Sequence, residues 1–288
     1  MSCALVDGGV QCWGLNRDGR LGNNSTMYNS LVPVQVWGLI LGVTVIAGRG
    51  GRTCALVNGG MFCWGSNSNG ELGNNSTANS PIPVQVQGLS ANVTAMASGE
   101  SHTCAVVNGG ALCWGFNSIG GAFHQISLVP IQVDNLTSGA GVTAISAGST
   151  HTCAVVNGEA QCWGSNFSNQ LGDNSRTDSL SPVQVVGLTS GVTAIAAGTG
   201  HSCAVVNDGV QCWGENYFGQ LGNDSTTGSP VPVQVQGLTS GGTAIAAGTW
   251  HTCAAVNAEV RCWGLNDFGE LGNNSTVDSL VPVQVRFP

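Results

Sequence analysis

The sequence predicts an all-β fold: a six-bladed β-propeller of four-stranded antiparallel blades, with the first blade lacking its inner strand. Three observations lead there. Cysteine pairs start at Cys3, Cys54, Cys104, Cys153, Cys203 and Cys253, in steps of 51, 50, 49, 50 and 50 along the 288 residues. Each unit after the first carries four short runs rich in Val, Ile and Thr, bounded by Gly, Asn and Ser, and no stretch has a useful helical periodicity. A period near ~50 residues with four strands per unit is that of a propeller blade. No charge run or composition shift marks a linker, so residues 1–288 are expected to form a single domain.

The fifth unit shows the elements in order. Strand one, Val192–Gly198, is nearly all small residues, which suits a crowded propeller axis. Strand two is His201–Val206 and strand three Val210–Gly214. Strand four, Pro232–Val235, opens with a proline that recurs as Pro33, Pro83, Pro130, Pro182 and Pro282. Proline is tolerated at strand starts and sheet edges, so this strand is placed outermost. Strand one occurs five times and the other three occur six times, so the first unit has no inner strand of its own. The chain is expected to be six blades with the first incomplete, or a piece of a longer repeat protein.

Strands two and three meet at a two-residue turn: Asp7-Gly8, Asn58-Gly59, Asn108-Gly109, Asn157-Gly158, Asn207-Asp208 and Asn257-Ala258. Such dipeptides favour tight hairpins, and the turn sets the register. In the second unit Val57 then faces Gly60, Leu56 faces Met61, Ala55 faces Phe62, and Cys54 faces Cys63. The cysteines fall at a non-hydrogen-bonded site, with Cα atoms about 4.5 Å apart, within reach of a disulfide. Six disulfides are therefore predicted: Cys3–Cys12, Cys54–Cys63, Cys104–Cys113, Cys153–Cys162, Cys203–Cys212 and Cys253–Cys262. Each closes a loop of about ten residues and is expected to stabilise by about 2–3 kcal/mol. The alternatives are pairs of buried thiols and, less favoured by the spacing, zinc ligation. Twelve matched cysteines imply an oxidising compartment, hence an extracellular or cell-surface location. No leader precedes Cys3, which suits a mature form or a fragment.

Charged residues make up only 8% of the chain and the net charge is −8, with no lysine at all. A nucleic-acid-binding surface needs a basic footprint, and none is present. No apolar run is long enough for a membrane helix. No Ser-His-Asp set or isolated carboxylate pair stands out, no turn resembles a phosphate-binding loop, and neither a catalytic role nor a cofactor is assigned.

The stretch GTGHSCAVVNDGVQCWGENYFGQLG, Gly198–Gly222, and its copies in the other units resemble the regulator of chromosome condensation repeat family. The resemblance covers essentially the full chain. It implies a β-propeller and, usually, a protein-binding role, and the cysteine pair resembles exported bacterial members. Relatives in this family include a nuclear exchange factor for a small GTPase, a plant UV-B receptor and a secreted bacterial inhibitor of β-lactamases. The basic tail and wedge insertion of the first have no counterpart here. The GWRHT stations of the second correspond to GESHT, GSTHT, GTGHS and GTWHT, where only Trp250 is aromatic. Fold does not settle function.

In a repeat protein the units should differ where function resides. Aromatic residues collect in the loop after CWG, in different slots in different units: Phe116, Phe167, Tyr217, Phe218 and Phe268. With Trp250 they are candidate anchors for a partner, against a reading as local loop packing. Trp37, Ile40 and Leu41 stand where later units carry other residues, and form a candidate apolar contact or a blade-closure contact. The third unit replaces the common loop with a different stretch over 120–125. His102, His151, His201 and His251 hold one station, with Arg52 in the fifth place. They read as a repeated structural contact rather than a metal ring. Trp13, Trp64, Trp114, Trp163, Trp213 and Trp263 read as packing between blades. The GNNST stretches read as polar turns, and their Asn-x-Ser/Thr sequons admit glycosylation. The function expected is a disulfide-stapled scaffold, secreted or surface-exposed, that binds a protein or assembles with itself. The alternative is a carbohydrate-binding module using the aromatic rim.

Overall fold

The computed structural model describes residues 1–25, 27–116 and 125–287, and every sheet in it is an antiparallel meander. The chain divides into two compact units, Met1–Gly139 and Ala140–Pro288. The first holds β1 (Ser2–Val6), β2 (Gly9–Leu15) and β3 (Asn29–Gln35), which form a three-stranded sheet. It also holds the four-stranded sheets β4 (Val43–Arg49) to β7 through β5 (Arg52–Val57), β6 (Gly60–Gly65) and β7 (Ser80–Gln85), and β8 (Val93–Ser98) to β11 through β9 (His102–Val107), β10 (Gly110–Phe116) and β11 (Ile126–Gln132).

The second unit holds three more four-stranded sheets. These are β12 (Val142–Ala147), β13 (His151–Val156), β14 (Glu159–Gly164) and β15 (Ser179–Gln184); β16 (Val192–Ala197), β17 (His201–Val206), β18 (Gly209–Gly214) and β19 (Ser229–Gln234); and β20 (Gly242–Ala247), β21 (His251–Val256), β22 (Glu259–Gly264) and β23 (Ser279–Gln284). The fold is an all-β six-bladed propeller whose first blade has three strands. No helix of the described residues is long and apolar enough to cross a membrane.

The hairpin register follows the turn. In the second blade Val57 pairs with Gly60, Leu56 with Met61, Ala55 with Phe62 and Cys54 with Cys63. Both turn residues have positive φ in every unit, from Asn58 (51°) and Gly59 (80°) to Asn257 (51°) and Ala258 (65°). That left-handed pair matches the twist of the flanking strands. All six disulfides are present, with Cα separations of 4.0–4.1 Å, somewhat closer than strand pairing alone dictates. They leave no free thiol for the buried-thiol or zinc alternatives.

Strand four is the edge strand of each sheet, as its proline requires, but it starts earlier than Pro232. Gly214 pairs with Ser229 and Cys212 with Val233, so three residues ending in Pro232 face Trp213 alone. The proline sits in a bulge, where it withholds no ladder hydrogen bond. Ser229 Oγ spans that bulge by donating to Val231 O at 2.7 Å, and Ser30, Ser80, Ser127, Ser179 and Ser279 repeat the contact. Opposite the bulge, Gly214 has φ +99°, and a Cβ there would meet Gly200 O at 2.5 Å. The glycine of CWG is thus demanded by both conformation and space.

Within the second unit the small-residue strand β16 packs against both β12 and β20. Between blades four and five the core joins Val155, Leu171, Val185 and Leu188 to Val192, Ile195, Val206 and Trp213. Trp64, Trp114, Trp163, Trp213 and Trp263 are fully buried, while Trp13 of the three-stranded blade is only half-buried.

Candidate functional site

The loops that carry the candidate residues are organised by a buried asparagine. Asn216 accepts the backbone N–H of Leu221 at 2.9 Å through Oδ1. Its Nδ2 donates to Ser225 O (2.8 Å), Thr227 O (3.0 Å) and Asn223 Oδ1 (3.1 Å). Asn266 does the same in its loop, and Asn166 accepts Leu171 N–H and donates to Asp173 Oδ1 and to both Ser175 O and Ser175 Oγ. Buried, fully bonded amides of this kind are costly to leave unpaired, so each loop has one geometry. Gln220 Oε1 then accepts Phe218 N–H at 2.9 Å, Gln170 Oε1 accepts Ser168 N–H at 2.8 Å, and Glu270 Oε2 accepts Phe268 N–H at 2.9 Å. Reading these loops as plain polar turns missed the hub. The available signal was an asparagine two residues after the glycine of CWG in every unit.

The histidine station is a latch between successive blades. His151 Nε2 lies 2.8 Å from Ser202 Oγ, and His201 Nε2 lies 3.0 Å from Thr252 Oγ1. Each hydroxyl donates to a loop carbonyl, Ser202 to Gln170 O at 2.9 Å and Thr252 to Gln220 O at 3.0 Å. A hydroxyl has one proton, so the imidazole Nε2 is the donor to it. The same carbonyls accept the indole N–H of Trp213 and Trp263, both at 2.9 Å. In the blade of β4–β7 Arg52 replaces histidine. It donates to Thr103 Oγ1 (3.0 Å), Gly99 O (2.9 Å), Glu100 O (3.1 Å) and His102 O. Burial lowers the Arg52 pKa to about 10, against the opposing pull of Glu71 and Glu100. Burial first, and then the charges of Arg52 and Arg49, push His102 down to about 3. The station belongs to the frame.

The exposed aromatics stand on that frame. In a four-stranded blade the loop after strand three and the turn after strand one lie at one end, and the other two connections at the opposite end. Phe167, Tyr217, Phe218, Phe268 and Trp250 all belong to the first end in the second unit. Phe167, Tyr217 and Phe268 are 81%, 75% and 91% exposed, which separates them from packing residues. Phe218 is half-buried and lies against Trp250, with ring centroids 5.5 Å apart and planes tilted by 45°. Phe116 is half-buried at the end of β10 in the first unit. Trp37, Ile40 and Leu41 are exposed in the first unit at the opposite blade end. The variant loop of the third unit over 120–125 falls, up to residue 124, outside the described residues.

Phe167 and Tyr217 line one cavity of ≈ 280 Å³ with Ser168, Asn169, Arg176 and Glu215. Burial raises the Glu215 pKa, and its carboxylate has no hydrogen bond or ion pair among the described residues. The loops around it are acidic. Asp173 and Asp178 lie in one, Glu215 and Asp224 in the next, and Asp267, Glu270 and Asp278 in the third, against a single Arg176.

Structures of known proteins share this fold. Human WBSCR16 superposes with a TM-score of 0.85 at 24% identity, over 100% of this chain and 79% of that one. Yeast RCC1 (Prp20), in the structure with Kap60 bound, gives 0.82 at 22% identity, over 99% and 72%. Prp20p from Saccharomyces cerevisiae, in a structural study that also covers its binding properties to Gsp1p and histones, gives 0.60 at 18% identity, over 100% and 88%. The family model "Regulator of chromosome condensation (RCC1) repeat" matches residues 58–106, 157–205, 207–255 and 259–288, and a second model of the same repeat matches 192–220. With the repeat model matching more than half of its length, the chain belongs to the RCC1 repeat family.

Proposed function

We propose that this propeller is a disulfide-stapled scaffold, secreted or surface-exposed, that binds another protein through the aromatic loop ends of residues 140–288. One observation carries the reading: the Asn hubs, the His latch and the Trp of CWG that recur from blade to blade in residues 140–288 are buried in the frame, or half-buried at His251, while Phe167, Tyr217 and Phe268 at the variable loop tips are exposed. Large rings at rigid, solvated positions are the side chains that anchor protein interfaces. The reported binding of Kap60, Gsp1p and histones by yeast relatives supports a protein as the ligand. The six disulfides suit an oxidising compartment. None of the relatives described above is described as binding a carbohydrate.

The test is capture of binding proteins from the extracellular fraction of the source organism. Wild type is compared with a Phe167→Ser/Tyr217→Ser/Phe268→Ser variant and with a Trp37→Ser/Leu41→Ser variant. The same protein should be captured by wild type and by the second variant, with a loss of about tenfold or more in the first. Equal capture by the rim variant, with an unchanged melting curve, removes the rim as the binding surface. Sedimentation of wild type and rim variant tests the case in which the partner is a second copy.

A further inference from the structure

We infer that the cavity between Phe167 and Tyr217 seats a cationic side chain, arginine or lysine, of the bound protein, with Glu215 as its counter-ion. This rests on the protein-binding reading and adds the chemistry of the partner. Two exposed rings wall the cavity, and the faces of aromatic rings attract cations. Glu215 stands beside them, half-buried and unpaired among the described residues. A carboxylate partly withdrawn from water without a partner carries a cost that an incoming guanidinium or ammonium relieves. Burial raises its pKa, because the charged form is disfavoured where water is partly withdrawn.

The surroundings point the same way. The three loops of this unit carry seven carboxylates and one arginine, so their field draws cations and repels anions. Most of the other acids near the cavity are already engaged. Asp178 accepts Asn166 N–H at 2.6 Å, and Asp173 accepts from Asn166 and from Ser175. Arg176, the one base, is exposed and lies beyond ion-pair distance of Glu215. It lines the cavity without filling it, and its charge opposes the ligand.

The experiment titrates the full chain with Nα-acetyl-arginine amide and follows backbone amide resonances. Nα-acetyl-norleucine amide is the uncharged control. Saturable shifts on the order of millimolar affinity are expected at Phe167, Glu215 and Tyr217, with none from the control. Glu215→Gln should weaken binding by about tenfold, and Arg176→Ala should tighten it. Equal shifts from the uncharged control, unchanged binding in Glu215→Gln, or weaker binding in Arg176→Ala would overturn the inference. Glu215→Gln is then run in the capture experiment. Loss of the partner with the rim variant but not with Glu215→Gln leaves the protein-binding reading standing and sinks the cation pocket. Arginine binding without any captured protein does the reverse.

Discussion

Residues 1–139 and 140–288 are built on one frame and differ at its exposed ends. Both carry the hub asparagines, at Asn16 and Asn67 in the first and at Asn166, Asn216 and Asn266 in the second. Both close the outer strand with a glutamine. Gln85 Nε2 donates to Met61 O and Leu89 O at 2.8 Å, and Gln234 Nε2 to Val210 O and Leu238 O at 2.9 and 2.8 Å. After the hub, however, the first unit continues with Arg17-Asp18 and Ser68-Asn69, and the second with Phe167, Tyr217-Phe218 and Asp267-Phe268. The latch departs from its common form at one place as well: Arg52, in residues 1–139, carries a guanidinium at the station held by imidazoles at His151 and His201. Groups that satisfy buried backbone are held to one chemistry, or to a substitute that makes the same bonds. Tips that satisfy nothing are free to acquire a ligand.

The largest expected effect breaks the latch on each side. Arg52→Ala strands buried acceptors at Gly99, Glu100, His102 and Thr103 and should cost about 3–5 kcal/mol. His201→Ala removes the bond to Thr252 Oγ1 and should cost about 1–3 kcal/mol. Chemical denaturation of the full chain measures both. Equal losses would show that Arg52 is an ordinary member of the histidine station. Replacing one cysteine pair by alanines, Cys54 with Cys63 or Cys203 with Cys212, should cost about 2–3 kcal/mol in either unit, because the closed loop is the same length. A large difference between the two pairs would show that the staples are not equivalent.

Acid provides a finer comparison. His102 is held at about 3 in the folded chain against an ordinary 6.5, so between those values the unfolded chain binds a proton that the folded chain refuses. Stability therefore falls as pH drops from 6.5 towards 3, with a limiting slope of about 1.4 kcal/mol per pH unit from this group. Above 6.5 His102 contributes no slope. His251 is half-buried, and Glu270 opposes the lowering that burial causes, so its contribution is smaller. His102→Gln should flatten the acid limb of stability measured from pH 7 to pH 4, and His251→Gln should change it less. An unchanged slope in His102→Gln would assign acid sensitivity to another group.

Sheets, register and disulfides were legible because each follows from local chemistry. An Asn-Gly turn leaves one pairing of its strands, and that pairing puts Cys54 opposite Cys63. The bulge at Pro232 was not legible, since a proline opening a strand and a proline closing a bulge look alike until the residues facing Trp213 are counted. The hub was hidden for a related reason. Asn216 lies in a loop crowded with Asn, Ser and Gly, and only burial separates the organising amide from its solvated neighbours. Arg52 was legible as a replacement for histidine but not as a latch, because its acceptors lie 47 to 51 residues away. The aromatic tips stood out through their failure to repeat. Their meeting with Glu215 in one cavity was not legible, because it depends on how loops from two blades approach.

The smallest expected effect separates the two kinds of aromatic tip. Phe268 is 91% exposed, so Phe268→Ser leaves no cavity and uncovers no buried polar group. It should change stability by no more than about 0.5 kcal/mol. Phe218 is half-buried with its ring 5.5 Å from that of Trp250, so Phe218→Ala loses an aromatic contact and should cost about 1 kcal/mol. Parallel melts of the two variants read the difference. If Phe268→Ser destabilised as much as Phe218→Ala, both rings would be frame, and the division between a buried repeating frame and free variable tips would fail where it matters most. If Phe268→Ser melts like wild type, the exposed ring contributes nothing to folding at that position and is free to serve a partner.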